Sequence, residues 1–256
     1  MAPGGRTSRR SHTVSRHAVV VLTISAAIAV LAPRVMTMST SASTDGTPST
    51  SATTPSGHSA AAISTTSATA VLNTLPVKGR APGTGYSRAQ FGPAWDDVDH
   101  NGCDTRNDIL ARDLATTVAR PGTRGCIIVS GVLTDLYTAR VIHFTRGEKT
   151  STAVQIDHVV ALSDAWQTGA QLLTSDQRLR LANDPLNLLA VDGATNEQKS
   201  DGDAATWLPP AKDYRCRYVA RQVAVKAAYH LWVTPAEKNA IAGVLSTCPG
   251  EPVPAH

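Results

Sequence analysis

At 256 residues the chain has room for one domain or two. Its 24 basic and 20 acidic residues suggest a basic protein, but Arg6, Arg9, Arg10, Arg16 and Arg34 all precede the first acid, Asp45. Without those five, 19 basic residues face 20 acids. Net charge therefore supports no nucleic-acid role by itself, and any phosphate-binding surface has to be a local patch.

Residues 1–42 have the anatomy of a secretory signal: an Arg-rich start, an apolar run from Ala18 to Ala32 and small residues after it. That run is shorter than the roughly twenty residues a membrane-spanning helix needs. A cleaved signal and a secreted chain are favoured over a retained amino-terminal anchor. Residues 43–71 are almost wholly Ser, Thr, Ala, Pro and Gly, which cannot offset their own ordering entropy, and are expected to form a disordered linker. The folded domain is expected over residues 72–250. All four cysteines, Cys103, Cys126, Cys216 and Cys248, lie in it. In an exported chain an even count favours two disulfides, and no Cys-x-x-Cys pair supports a zinc site.

Asp97, Asp99, Asn101 and Gly102 match the opening of a calcium loop, with Asp108 at its twelfth position. The closing ligand is Asp instead of Glu, and Asp104 stands where such loops are usually apolar. A polar turn is favoured there over bound Ca²⁺. A helix is expected over residues 105–118, with Ile109, Leu110, Leu114 and Val118 on one face. Strands are expected over 126–133, broken at Ser130-Gly131, and over 136–144, forming a short β hairpin or meander. The pair Cys103–Cys126 flanks the helix and would tie it to the first strand.

Further on, residues 154–162 read as a strand carrying Asp157 and His158. Successive side chains on a strand face opposite ways, so these two can do different work. Short helices are expected over 163–169 and 175–182, then Asn187, a strand over 188–191 and a polar segment with Asn196 and Lys199. Near the carboxy terminus, residues 214–232 have helical periodicity. Thr234-Pro235-Ala236-Glu237 supplies an N-cap, a proline at the first helical position and a capping-box Glu for a second helix. Two helices joined by so short a turn should be antiparallel, which brings Cys216 beside Cys248. The pairs 103–126 and 216–248 are therefore expected.

In this order, Asp157-His158, Asn187, Asn196 and Lys199 resemble the HNH (His-Me finger, ββα-metal) endonucleases, in the variant whose third signature residue is Asn. The wider text is closer still. Residues 102–107, Ile156-Asp157-His158-Val159-Val160, Asn187-Leu188-Leu189-Ala190-Val191 and Trp207-Leu208-Pro209-Pro210 are similar to a secreted bacterial HNH group related to the C-terminal domain of GmrSD-type restriction endonucleases. The expected fold class is thus α+β: a ββα-metal core with a short hairpin and a C-terminal antiparallel helix pair, stapled by disulfides.

The resemblance implies a function. Asp157 and Asn196 would hold one divalent ion, Mg²⁺ before Mn²⁺, since hard oxygen donors with few protein contacts suit it. His158 would be the general base toward water, and Asn187 would support the loop around it. Lys199 and Arg106 are candidate phosphate contacts. The implied partner is a nucleic acid, DNA ahead of RNA. Taken singly, each residue has a blander reading, a hydrogen-bonded histidine or an Asx-turn; as an ordered set they favour the nuclease. An exported metal-dependent cell-wall hydrolase would need several nitrogen ligands, and only His158 lies in the motif region. A non-catalytic binding module on the same scaffold is the third reading. His100, His143 and His230 read as structural or surface residues, and the four tryptophans as core.

Overall fold

The computed structural model describes residues 66–254, so the expected leader at 1–42 and the linker as far as residue 65 lie outside the described residues. Order begins earlier than the expected boundary at 72. The first helix, α1 (Ala68–Thr74), is capped by the Ser67 side chain, which accepts from the Ala70 N–H at 3.2 Å. Ala68 and Leu72, one turn apart, are both buried. The backbone on either side bonds to the chain's other end, Ala68 N–H to the Glu251 carbonyl and Val253 N–H to the Thr66 carbonyl. A small-residue segment folds here because a distant strand-like segment supplies its partner.

Helix α2 (Thr105–Asp113) is capped by Asp104 and is shorter than expected. The helix ends at Asp113, and Leu114–Ala119 forms strand β1. β-branched residues such as Val118 fit a pleated surface better than a helix, and the strand is bulged between Ala115 and Val118, with Thr116 at φ 48°. Pairing settles it: β1 lies antiparallel to β2 (Ile128–Thr134), and β2 to β3 (Val141–Thr145). The expected hairpin is thus a three-stranded antiparallel sheet. Gly131 does not break β2; a Cβ there would meet Leu114 Cδ2 at 2.8 Å, so glycine lets the neighbouring strand pack close. The second expected strand starts five residues late, because Asp135 turns the chain by accepting from the N–H groups of Tyr137 and Thr138. Cys103 is bonded to Cys126, tying the approach to α2 to the approach to β2.

A second, two-stranded antiparallel sheet pairs β4 (Val154–His158) with β5 (Leu188–Asp192). Asp157 is registered opposite Leu189, and His158 opposite Leu188. Between the strands the chain forms α3 (Leu162–Gln167) and α4 (Ser175–Asn183), the latter opened by a Thr174/Gln177 capping box. Directly after β5 comes α5 (Gly193–Lys199), capped by Asp192. Gly193 is required at that corner: a Cβ would lie 1.9 Å from the Thr152 carbonyl oxygen.

The carboxy-terminal helices are α6 (Arg215–Ala228) and α7 (Pro235–Leu245), with the Thr234/Glu237 capping box and Pro235 in the first turn of α7. A disulfide joins Cys216 at the start of α6 to Cys248 just past α7, which makes the pair antiparallel. Periodicity overran the end of α6: its last turn closes at Ala228, and His230 adopts φ 52° in the turn to α7. Val219 and Val223 pack with Ala68, Leu72, Ile241 and Leu245 in one apolar cluster. Of the tryptophans, Trp166 and Trp232 are buried, while Trp95 and Trp207 are half-buried. Among the described residues no helix is long and apolar enough to cross a membrane.

Candidate functional site

The ends of β4 and α5 meet around Asp157. Its Oδ1 accepts from the Lys199 ammonium at 2.9 Å and its Oδ2 from the Tyr137 hydroxyl at 2.6 Å. All three side chains are buried. Burial pushes the Asp157 carboxyl above its usual value, while Lys199 and the Tyr137 hydroxyl pull it back. Burial, with Asp157 beside it, drives the Tyr137 phenol well above 10. A carboxylate offers about four lone-pair sites, so the two bonds orient Asp157 and still leave it able to bind an ion.

His158, one residue on, is held differently. Its Nε2 lies 2.9 Å from the Ala182 carbonyl, one of the last carbonyls of α4, which have no partner inside their own helix. Burial is the main cause that lowers the imidazole to about 4; the Ala182 carbonyl opposes it, and Arg88 and Lys199 add to it. The ring is therefore neutral near pH 7. A carbonyl only accepts, so Nε2 carries the proton and Nδ1 keeps a free lone pair. The Trp95 ring lies nearly parallel to the imidazole, at 14° with centroids 6.0 Å apart.

Asn187 fixes the backbone that follows. Fully buried, it accepts from the Val160 N–H at 2.8 Å and donates to the carbonyls of Val160 and Leu181, both at 3.3 Å. Its own carbonyl accepts from Val159 N–H at 2.8 Å. One side chain thus locks the turn after His158 to the end of α4, whose next carbonyl holds the imidazole.

Asn196, on α5, donates to Gln155 Oε1 at 2.8 Å, and Gln155 donates to Glu197 at 3.0 Å. Gln155 is two residues before Asp157, hence on the same strand face. A cavity of about 510 Å³ opens here, bordered by Gln155, Asp157, His158, Asn196, Glu197 and Asp201. All but His158 offer hard oxygen donors, which fits Mg²⁺ or Mn²⁺ and not a soft-metal site. Among the described residues, the one group of three His, Cys, Asp or Glu ligands with converging atoms is Cys216, Cys248 and Glu251, whose two sulfurs are spent in a disulfide.

A family model for the C-terminal domain of GmrSD restriction endonucleases matches residues 104–244, which run from α2 to the last turn of α7 and include Tyr137, Gln155, Asp157, His158, Asn187, Asn196 and Lys199. The chain belongs to this family. An "Uncharacterized secreted protein" of the fungus Arthroderma benhamiae is 37% identical over 187 residues, covering 72% of this chain and 86% of that protein. No solved structure matches the chain. The GmrSD-type match begins at residue 104, so Arg88 and Trp95 lie ahead of it.

Two sequence expectations change with the geometry. Lys199 is not open to a phosphate: its side chain is fully buried, and its ammonium donates to Asp157 and, at 2.9 Å, to the His158 carbonyl. Arg106 does not border the cavity either; it lies on α2 near Asp104 and Arg146, with Nη1 buried and unpaired among the described residues. In the turn at 97–102, Asp97 and Asp99 accept from the Asn101 N–H at 3.1 and 3.2 Å, and Asn101 Nδ2 donates to Asp108 at 3.2 Å. His100, His143 and His230 are exposed. Tyr137, Gln155, Arg88 and Trp95 were missed. Only Gln155 carried a signal, its two-residue spacing from Asp157.

Proposed function

We propose that the chain is an exported, metal-dependent endonuclease of the HNH type, built on a ββα-metal core made of β4, β5 and α5. The observation that carries this reading is the state of His158. It is tied through Nε2 to a backbone carbonyl and borders a cavity of oxygen donors with its Nδ1 lone pair unused. Asp157 and Asn196 would hold one Mg²⁺ or Mn²⁺. When bound, such an ion stabilises charge on the phosphate and on the leaving oxygen. Nδ1 of His158 takes a proton from water as the water oxygen attacks phosphorus; the bond from phosphorus to the leaving oxygen breaks, and solvent protonates that oxygen. Lys199 and Tyr137 keep the Asp157 oxygens in place, and Asn187 keeps the turn after His158 in register with α4.

Export is supported by the apolar leader run, by the two disulfides, which suit an oxidising compartment, and by the word "secreted" in the fungal relative's name. The substrate class is nucleic acid, in line with the family's description. Incubation with plasmid and single-stranded DNA in Mg²⁺ should give cleavage that chelator abolishes. Asn196→Ala should raise the Mg²⁺ concentration needed for half-maximal rate. No cleavage of any nucleic acid by the folded parent chain in Mg²⁺ or Mn²⁺ would overturn the proposal.

A further inference from the structure

A second cavity also borders His158. Its volume is about 290 Å³, at the lower edge of the roughly 300–1,000 Å³ typical of small-molecule sites. Phe91, Leu162 and Ala182 make its lining largely apolar, and it shares Arg88, His158 and Leu162 with the oxygen-lined cavity. Three features set it apart from a packing gap. Trp95 borders it with its ring nearly parallel to the His158 imidazole, on a backbone at φ 59° that bulky residues seldom adopt. Asn183 also borders it. That residue is 1% exposed and its Nδ2 donates to the Leu179 carbonyl at 3.0 Å, while its Oδ1 has no partner among the described residues. Arg88, at the junction, is exposed, and its side chain makes no ion pair or hydrogen bond among the described residues.

An apolar slot with an aromatic wall, one orphaned buried acceptor and a free cation at its mouth matches a nucleobase and its phosphate. We propose that this cavity receives one unstacked base of the substrate strand, next to the phosphate addressed by His158, so that the substrate is single-stranded or locally unpaired nucleic acid. This rests on the nuclease reading above. Trp95 stacks on the base, Asn183 Oδ1 accepts from one of its N–H groups, and Arg88 pairs with an adjoining phosphate. A base inside a duplex would first have to leave its stack, which costs energy that an unpaired strand does not spend. Arg88, Phe91 and Trp95 precede the family-matched stretch, while His158, Leu162, Ala182 and Asn183 lie within it.

The test is binding without turnover. Labelled single-stranded DNA, the same strand with abasic sites, and the corresponding duplex are titrated with the parent chain in chelator, and anisotropy is read. The parent should bind the intact strand at least about tenfold more tightly than the other two, within the span that base stacking gives. Trp95→Ala should bring intact and abasic strands to the same affinity. Arg88→Ala, at an exposed position that leaves the fold alone, should weaken binding to all strands and lower the salt slope by about 0.7. Equal parent affinities for intact and abasic strands, or preference for duplex, would overturn the proposal. Cleavage of the same strands in Mg²⁺ separates the two readings. Cleavage without base-dependent binding removes the slot and leaves the nuclease; base-dependent binding without cleavage removes the nuclease and leaves the slot.

Discussion

At the scale of single residues, the site depends on buried polar groups that are almost fully paired. Lys199 and Asp157 form an ion pair with both side chains inside the protein, and Tyr137 closes the other carboxylate oxygen. Removing one member of a buried pair leaves a charge without compensation, at a cost of about 3–5 kcal/mol. Lys199→Met should therefore lower stability by roughly that amount in denaturant titrations, and the double variant Lys199→Met/Asp157→Asn should regain most of it. Additive losses would mean that the two side chains are not coupled. Lys199 also shows where sequence reading stops. Its spacing after Asn196 was legible, and a lysine near a nuclease motif reads as a phosphate contact. Its burial is decided by Asp157, 42 residues earlier in the chain. Tyr137 was invisible for the same reason: nothing local marks a tyrosine that will meet a carboxylate 20 residues away. Asp157, His158, Asn187 and Asn196 were legible because their order and spacing carry a pattern.

At the scale of elements, the best-read parts were those with local signals. Thr234, Pro235 and Glu237 announce the start of α7, and the capping box is present. The short turn between α6 and α7 likewise implied antiparallel helices and the Cys216–Cys248 bond. Where local preference and pairing compete, sequence reading failed: Leu114–Ala119 continues an apparently helical apolar spacing yet pairs with β2. The contact between α6 and α7 hides a further device. Lys226 is fully buried, 2.7 Å from Glu237 and 3.2 Å from Asp164. Burial raises the Glu237 carboxyl from 4.5 to about 7, against the pull of Lys226, with Asp164 adding to the rise. The native state thus holds a proton that the unfolded chain releases between those values, so Glu237's contribution to stability falls as pH rises through that window. Glu237→Gln fixes the neutral form. Measured as melting temperature, variant minus parent should become more positive from about pH 5 to about pH 8. A difference that is constant, or that moves the other way, would show that Glu237 is ionised throughout.

At the scale of the whole molecule, the fold places two cavities on either flank of one histidine. The GmrSD-type core from α2 to α7 supplies the oxygen donors, the tautomer-fixing carbonyl and the locked turn. The segment ahead of it adds Arg88, Phe91 and Trp95. Disulfides tie the periphery at both ends of that core, one beside α2 and one across α6 and α7, and none of their cysteines borders the oxygen-lined cavity. The proposed mechanism turns on His158 activating water. The most direct measurement is the initial rate of Mg²⁺-dependent DNA cleavage by the parent chain and by His158→Ala, with melting temperatures recorded for both. The variant is expected to remain folded and to lose at least about a hundredfold in rate, as removal of a general base requires. A folded variant that cuts DNA at the parent rate would contradict it.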